Sequence, residues 1–148
     1  MADNYNVSAG GLSIRLIASL KFPVGFNITA LASDADPLDF PEVTIGEAEL
    51  NLNGNLVSSK TPNPYNVTLN VIPGSDDDRN LDVLFQANAP RRFAQMDDIT
   101  MIVTYPDGSV RTALRGICVS YNPGKGVGAN GKMKSRPYKF VFADIIGN

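Results

Sequence analysis

The sequence predicts a mainly β protein, an antiparallel β-sandwich or barrel of two packed sheets with one flanking α-helix. Three observations carry that expectation. Most of the chain alternates apolar and polar residues with period two, the pattern of half-buried strands. Only one window follows helical spacing. No strand–helix unit repeats, which argues against a doubly wound α/β fold. The 148 residues match one ordinary domain, 1–148, with long loops at about 33–42 and 122–136.

The elements follow in order. In "LSIRLIASL", Leu12, Ile14, Leu16, Ala18 and Leu20 share one face, and "VGFNITAL" continues with Phe26, Ile28 and Ala30. The acidic stretch "SDADPLDFPE" is bounded by prolines and reads as a loop. "TIGEAELNLNG" sends Ala48, Leu50 and Leu52 one way and Glu47, Glu49 and Asn51 the other. Asn53-Gly54 then marks a hairpin turn returning through "NLVSSK".

In "YNVTLNVI", Tyr65, Val67, Leu69 and Val71 point inward, with Asn66, Thr68 and Asn70 outward. The helix begins after Pro73-Gly74: Ser75 is the cap, and Asp76, Asp77 and Asp78 suit the positive end of the helix dipole. Leu81, Leu84, Phe85 and Asn88 form its stripe, and Pro90 stops it. "DITMIVTY" and "SVRTALRGICVSY" are strands joined by a "PDG" turn, and "PYKFVFADI" closes the chain with Tyr138, Phe140 and Phe142 on one face.

Composition narrows the function. The chain has no histidine and a single cysteine, Cys118. That excludes Ser-His-Asp and Cys-His catalysis, His-ligated metal sites and an intramolecular disulfide. Glu47 and Glu49 form the spacing of a carboxylate pair, yet alternating acids on a wet face of an antiparallel strand are far commoner. Asp76–Asp78 lack the spacing of a calcium loop. No enzymatic activity, cofactor or metal is predicted. The first residues lack a basic n-region and long apolar run, and no stretch approaches the ~18 apolar residues of a membrane span. Neither export by that route nor membrane insertion is expected.

"GVGANGKM", residues 126–133, comes one residue short of G-x-x-x-x-G-K-[ST]. A phosphate-binding loop needs a helix N-terminus behind it and a hydroxyl for the metal. Here Met133 replaces the hydroxyl and a strand follows, so the segment reads as a basic loop instead. Charge is split along the chain: residues 1–109 carry 14 acids and 6 bases, a balance of −8, whereas 110–148 carry 7 bases and one acid, a balance of +6. Such polarity suits acidic partners or copies of one chain meeting head to tail.

This order of elements resembles the tail tube proteins of long contractile-tailed bacteriophages and tube-fold baseplate proteins. The resemblance rests on "GEAELNLNGNLV", on "YNVTLNVIPGSDDDRNLDVLFQAN", on "ITMIVTYPDGSVRTALRGICVSY" and on "YKFVFADI". It implies two packed antiparallel sheets with a flanking helix, in a structural virion protein. Six copies would close a ring, and rings would stack head to tail into a tube that conducts DNA without sequence-specific binding. Sheath and baseplate proteins would be the other partners, with assembly in the host bacterial cytoplasm and residence in the virion tail.

Within that frame, Lys125, Lys132, Lys134 and Arg136 are expected to meet Asp34, Asp36, Asp39 and Glu42 across the contact between rings. Glu47, Glu49, Asn51, Asn66, Thr68 and Asn70 are expected to line a negative lumen. A baseplate or tube-initiator protein of the same fold is the alternative. From another class, so is a monomeric β-sandwich that binds carbohydrate or protein, although the chain has no tryptophan.

Overall fold

The computed structural model describes residues 10–32, 36–89 and 96–147. The alternating segments become β1 (Ser13–Ala18), β2 (Phe22–Ile28), β3 (Leu38–Asp39), β4 (Gly46–Leu50), β5 (Leu56–Lys60) and β6 (Tyr65–Val71). After α1 (Asp76–Ala87) come β7 (Ile99–Thr104), β8 (Val110–Tyr121) and β9 (Arg136–Gly147). Seven strands form one antiparallel sheet in the order β2-β1-β7-β8-β9-β6-β3, and among the described residues β4 pairs only with β5.

The two antiparallel sheets are of unequal size, β4–β5 being the second, small one and the continuous seven-stranded sheet the main one. The two long central strands allow it to bend around a core. β8 is bulged where Arg115 takes φ 54, and its register against β9 shifts between Cys118 and Ser120. Bulges add local twist and bend a strand. One face can then close over Ile14, Leu16, Val67, Leu69, Ile99 and Met101, all fully buried.

Alternation holds in β1, β6 and β9. Ile14, Leu16 and Ala18 are buried in β1, Val67, Leu69 and Val71 in β6, and Tyr138, Phe140 and Phe142 in β9. Leu20 is exposed because β1 has already ended in a turn. Helix α1 covers one flank of this core. Ser75 Oγ accepts from Asp78 N as its N-cap, and Leu81, Leu84 and Phe85 are buried. The Phe85 ring packs 5.0 Å from Tyr138, 5.1 Å from Phe140 and 5.2 Å from Tyr121. Asn88, expected on the apolar stripe, is instead the C-cap.

Candidate functional site

Among the described residues, no three His, Cys, Asp or Glu side chains gather where they could hold a metal ion. The chemistry of this protein lies in its surfaces and in the polar contacts that set them in place.

The β4–β5 hairpin is the most unusual surface. Every residue of both strands is exposed. The turn is well built, since Asn51 Oδ1 accepts from Asn53 N at 3.0 Å and Asn55 N at 2.8 Å. Leu50 pairs with Leu56, and they stand 70% and 68% exposed beside a fully exposed Leu52. The expected inward face of this strand thus has no interior to face. Glu47 and Glu49 lie on the opposite side of the ribbon, across from Ser59 and Val57.

The lumen candidates fall on two separate surfaces. Glu47, Glu49 and Asn51 belong to the hairpin, and Asn51 is engaged in its turn. Asn66, Thr68 and Asn70 alternate with buried Val67 and Leu69 on the outer face of the large sheet. In register beside them stand Val141, Lys139 and Pro137 of β9. That face carries Lys139 and, in register with Thr68 on its other side, the exposed Asp39 of β3. Asn70 also has a structural task, donating through Nδ2 to the Asp36 carbonyl at 2.7 Å.

The basic segment is folded. Val127 bridges to Met133, Gly128 N donates to Lys132 O at 2.8 Å, and Lys134 N donates to Gly126 O at 2.8 Å. This small hairpin runs into β9, so its glycines serve a turn (Gly131 has φ 79) and a strand, not a helix, follows them. Lys125, Lys132 and Lys134 are exposed, as are Asp36, Asp39 and Glu42. Asp34, like Arg91 and Arg92, lies outside the described residues.

Arg136 differs from its neighbours. It is 4% exposed, with Nη1 3.1 Å from Asp78 Oδ1 and Nη2 3.2 Å from Asp82 Oδ1. Its Nη2 also donates to the Asn122 carbonyl at 2.6 Å. The guanidinium is committed inside the chain and cannot serve as a surface charge, which removes it from the proposed contact. Nor do the acids sit at the far end from the lysines. Asp36 adjoins Asn70, which pairs with Pro137, so this segment flanks the end of β6 where the basic hairpin also lies.

Three carboxylates missed as structural groups hold these parts together. Asp77 Oδ2 accepts from Thr29 N at 2.7 Å and Ala30 N at 2.8 Å, tying α1 to the end of β2. Asp97 Oδ1 accepts from Leu20 N at 2.6 Å and Lys21 N at 3.0 Å, while Oδ2 accepts from Asn88 Nδ2 at 2.9 Å. Asp78 accepts from Gly74 N at 2.9 Å and the Tyr138 hydroxyl at 2.7 Å. Burial, then the bond to Asp78, pushes the Tyr138 phenol well up. Burial likewise pushes the Cys118 thiol to about 12, as befits a small apolar filler.

Comparison with known proteins follows from this architecture. The tube-terminating cap of the anti-feeding prophage matches with a TM-score of 0.62 and 12% identity, over 100% of this chain and 94% of the cap. The sheath/tube terminator of the PVC extracellular contractile injection system matches at 0.61 and 14%, over 99% of each chain. A chain of the anti-feeding prophage baseplate matches at 0.59 and 11%, over 99% and 97%. These likenesses show a shared fold, that of tube-like components of contractile systems. No curated protein matches the sequence. The family model described as "Tail fiber protein gp32" covers residues 5–146, and the chain belongs to that family of tail proteins, carrying the tube-like fold within it.

Proposed function

We propose that this chain is a structural, non-enzymatic tail component that self-assembles into closed rings, six copies to a ring, stacked as a conduit for DNA in the virion tail. The observation that carries the reading is the β4–β5 hairpin, solvated on both faces while presenting Leu50, Leu52 and Leu56. An isolated two-stranded hairpin is marginal in water, and clustered exposed apolar side chains mark interaction surfaces. A second copy would supply the missing cover.

Sheet edges support the same reading. Strand β2 is one edge, and at the other β3 lies against Thr68 and Leu69 and Leu31 bridges Val71, so that among the described residues no strand pairs with Tyr65–Val67 on that side. Open edges invite pairing with another chain, and closure of a ring removes them. The outer face bearing Asn66, Thr68 and Lys139 would then line the channel, polar and with Asp39 beside Thr68 as its carboxylate. Sheath and baseplate proteins would bind the completed tube, after assembly in the host cytoplasm.

Negative-stain electron microscopy across a concentration series, with light scattering on the same samples, tests the proposal. Stacked rings or tubes are expected. Single rings that never stack would indicate a baseplate, initiator or terminator part, and a monomer at every concentration would overturn self-assembly.

A further inference from the structure

The hairpin and the basic segment lie at opposite ends of the same strands. Strand β6 begins at Tyr65, paired with Phe142, and ends at Val71, paired with Arg136. The hairpin stem precedes Tyr65, closed by Thr61 N donating to Ile45 O and by Asn63 Nδ2 donating to Thr44 O. Directly after Val71 come Ile72 and Pro73, which form the floor of an open groove of about 750 Å³. Met133 adds to the apolar lining, and Lys132 and Lys134 of the basic hairpin border it. Six residue steps of extended chain separate the two ends, about 20 Å.

The two surfaces complement one another in chemistry. Each combines exposed apolar side chains with charge, Glu47 and Glu49 on one face of the hairpin, whose last residue is Lys60, and Lys132 and Lys134 at the groove. The hairpin offers Leu50, Leu52 and Leu56 with Glu47 and Glu49 on its reverse side, and the groove offers Ile72 and Met133, about half exposed, between lysines. Among the described residues, neither these glutamates nor these lysines form an ion pair within the chain.

We propose that the groove bordered by Lys132 and Lys134 is the seat of the β4–β5 hairpin of a second copy of this chain. The contact rests on the self-assembly reading above and specifies which surfaces meet. It is heterologous, one end of a copy against the other end of the next, and such contacts propagate until geometry closes them. The hairpin enters the groove edge-on, so that Leu50, Leu52 and Leu56 cover Ile72, Pro73 and Met133 on one side while Glu47 and Glu49 on the opposite face meet the lysine border. The acidic partner of the basic segment is thereby the hairpin and not the neighbouring segment at Asp36.

Cross-linking of full-length variants that carry Cys118→Ala and one introduced cysteine tests this directly. Leu52→Cys and Met133→Cys proteins are mixed and treated with a short bis-maleimide, with each variant alone and the wild type as controls. The mixture should give roughly tenfold more covalent dimer than any control, a contrast equivalent to about 1.4 kcal/mol of preferred contact. Adding Lys132→Glu and Lys134→Glu to the Met133→Cys protein should remove that excess. Adding Glu47→Lys and Glu49→Lys to the Leu52→Cys protein should restore it. Equal yields in all mixtures, or no rescue by the charge exchange, overturns the contact. Tubes that form without the cross-link would overturn this contact alone. A specific cross-link without rings or tubes would uphold the contact and overturn the tube.

Discussion

Arg136 Nη1 lies 3.1 Å from Asp78 Oδ1, joining the first residue of β9 to the first turn of α1 across 58 residues of sequence. Both side chains are almost fully buried, 4% and 1% exposed. The pair fixes where the basic hairpin leaves the body, because Arg136 also binds the Asn122 carbonyl at the hairpin's other stem.

Removing the cation should leave Asp78 buried without its countercharge. We expect Arg136→Met to destabilise the fold by about 3–5 kcal/mol, the range for breaking one side of a buried ion pair. Urea unfolding measures it. A loss below 1 kcal/mol would mean that water or another group already screens Asp78.

Asp97 should matter nearly as much, although it lies in a connecting segment. Its carboxylate satisfies two backbone donors at Leu20 and Lys21 and one Asn88 amide. Asp97→Ala is expected to cost about 2–3 kcal/mol, since unsatisfied buried donors carry a desolvation penalty. Asp97→Asn, which keeps one acceptor oxygen, should cost less. Thermal unfolding of the two variants side by side checks the order.

Gly116 admits no side chain. A Cβ there would stand 2.4 Å from the ring of Phe142, which is fully buried. We expect Gly116→Ala to destabilise by about 1–3 kcal/mol through overpacking. Chemical denaturation reads this, and a neutral result would require the Phe142 ring to shift freely.

Alkaline pH should weaken the fold. Burial raises the Cys118 thiol from 9.0 to about 12 and raises the Tyr138 phenol above its usual 10.0. Each folded pKa lies above its unfolded value, so the native state holds protons that the unfolded chain releases. Their contribution is complete below about pH 9 and is lost as pH rises past the unfolded pKa values. The urea midpoint should therefore fall above about pH 9. Cys118→Ala should remove the early part of that fall, and Tyr138→Phe the part beyond about pH 10.

Much of this fold is readable in short windows. Period-two alternation places Ile14, Leu16, Val67, Leu69, Phe140 and Phe142 in the core, and capping chemistry starts α1 at Ser75. Those signals are local, set by backbone geometry within a few residues. The contacts that escape reading are long-range. Asp77 to Thr29, Asp97 to Leu20 and Arg136 to Asp78 span 48, 77 and 58 residues. Acids at a helix start look like dipole stabilisation alone until the chain folds back on them. Alternation in "GEAEL" likewise reports a strand with an apolar face, but not whether that face meets its own chain or another. Loop composition at 122–136 hides a hairpin, because its order comes from backbone bonds that glycine, asparagine and lysine do not advertise.

The exposed hairpin is the point on which assembly turns. Replacing Leu50, Leu52 and Leu56 with Ser should leave folding stability within about 0.5 kcal/mol per site, since exposed side chains contribute little. It should nonetheless disperse the assembly. Sedimentation velocity of the wild type and this triple variant at equal concentration tests that most directly. We expect the wild type to sediment as rings or larger particles and the variant as a folded 15.9 kDa monomer. Identical sedimentation of the two proteins, whether both assembled or both monomeric, would contradict assembly through the hairpin.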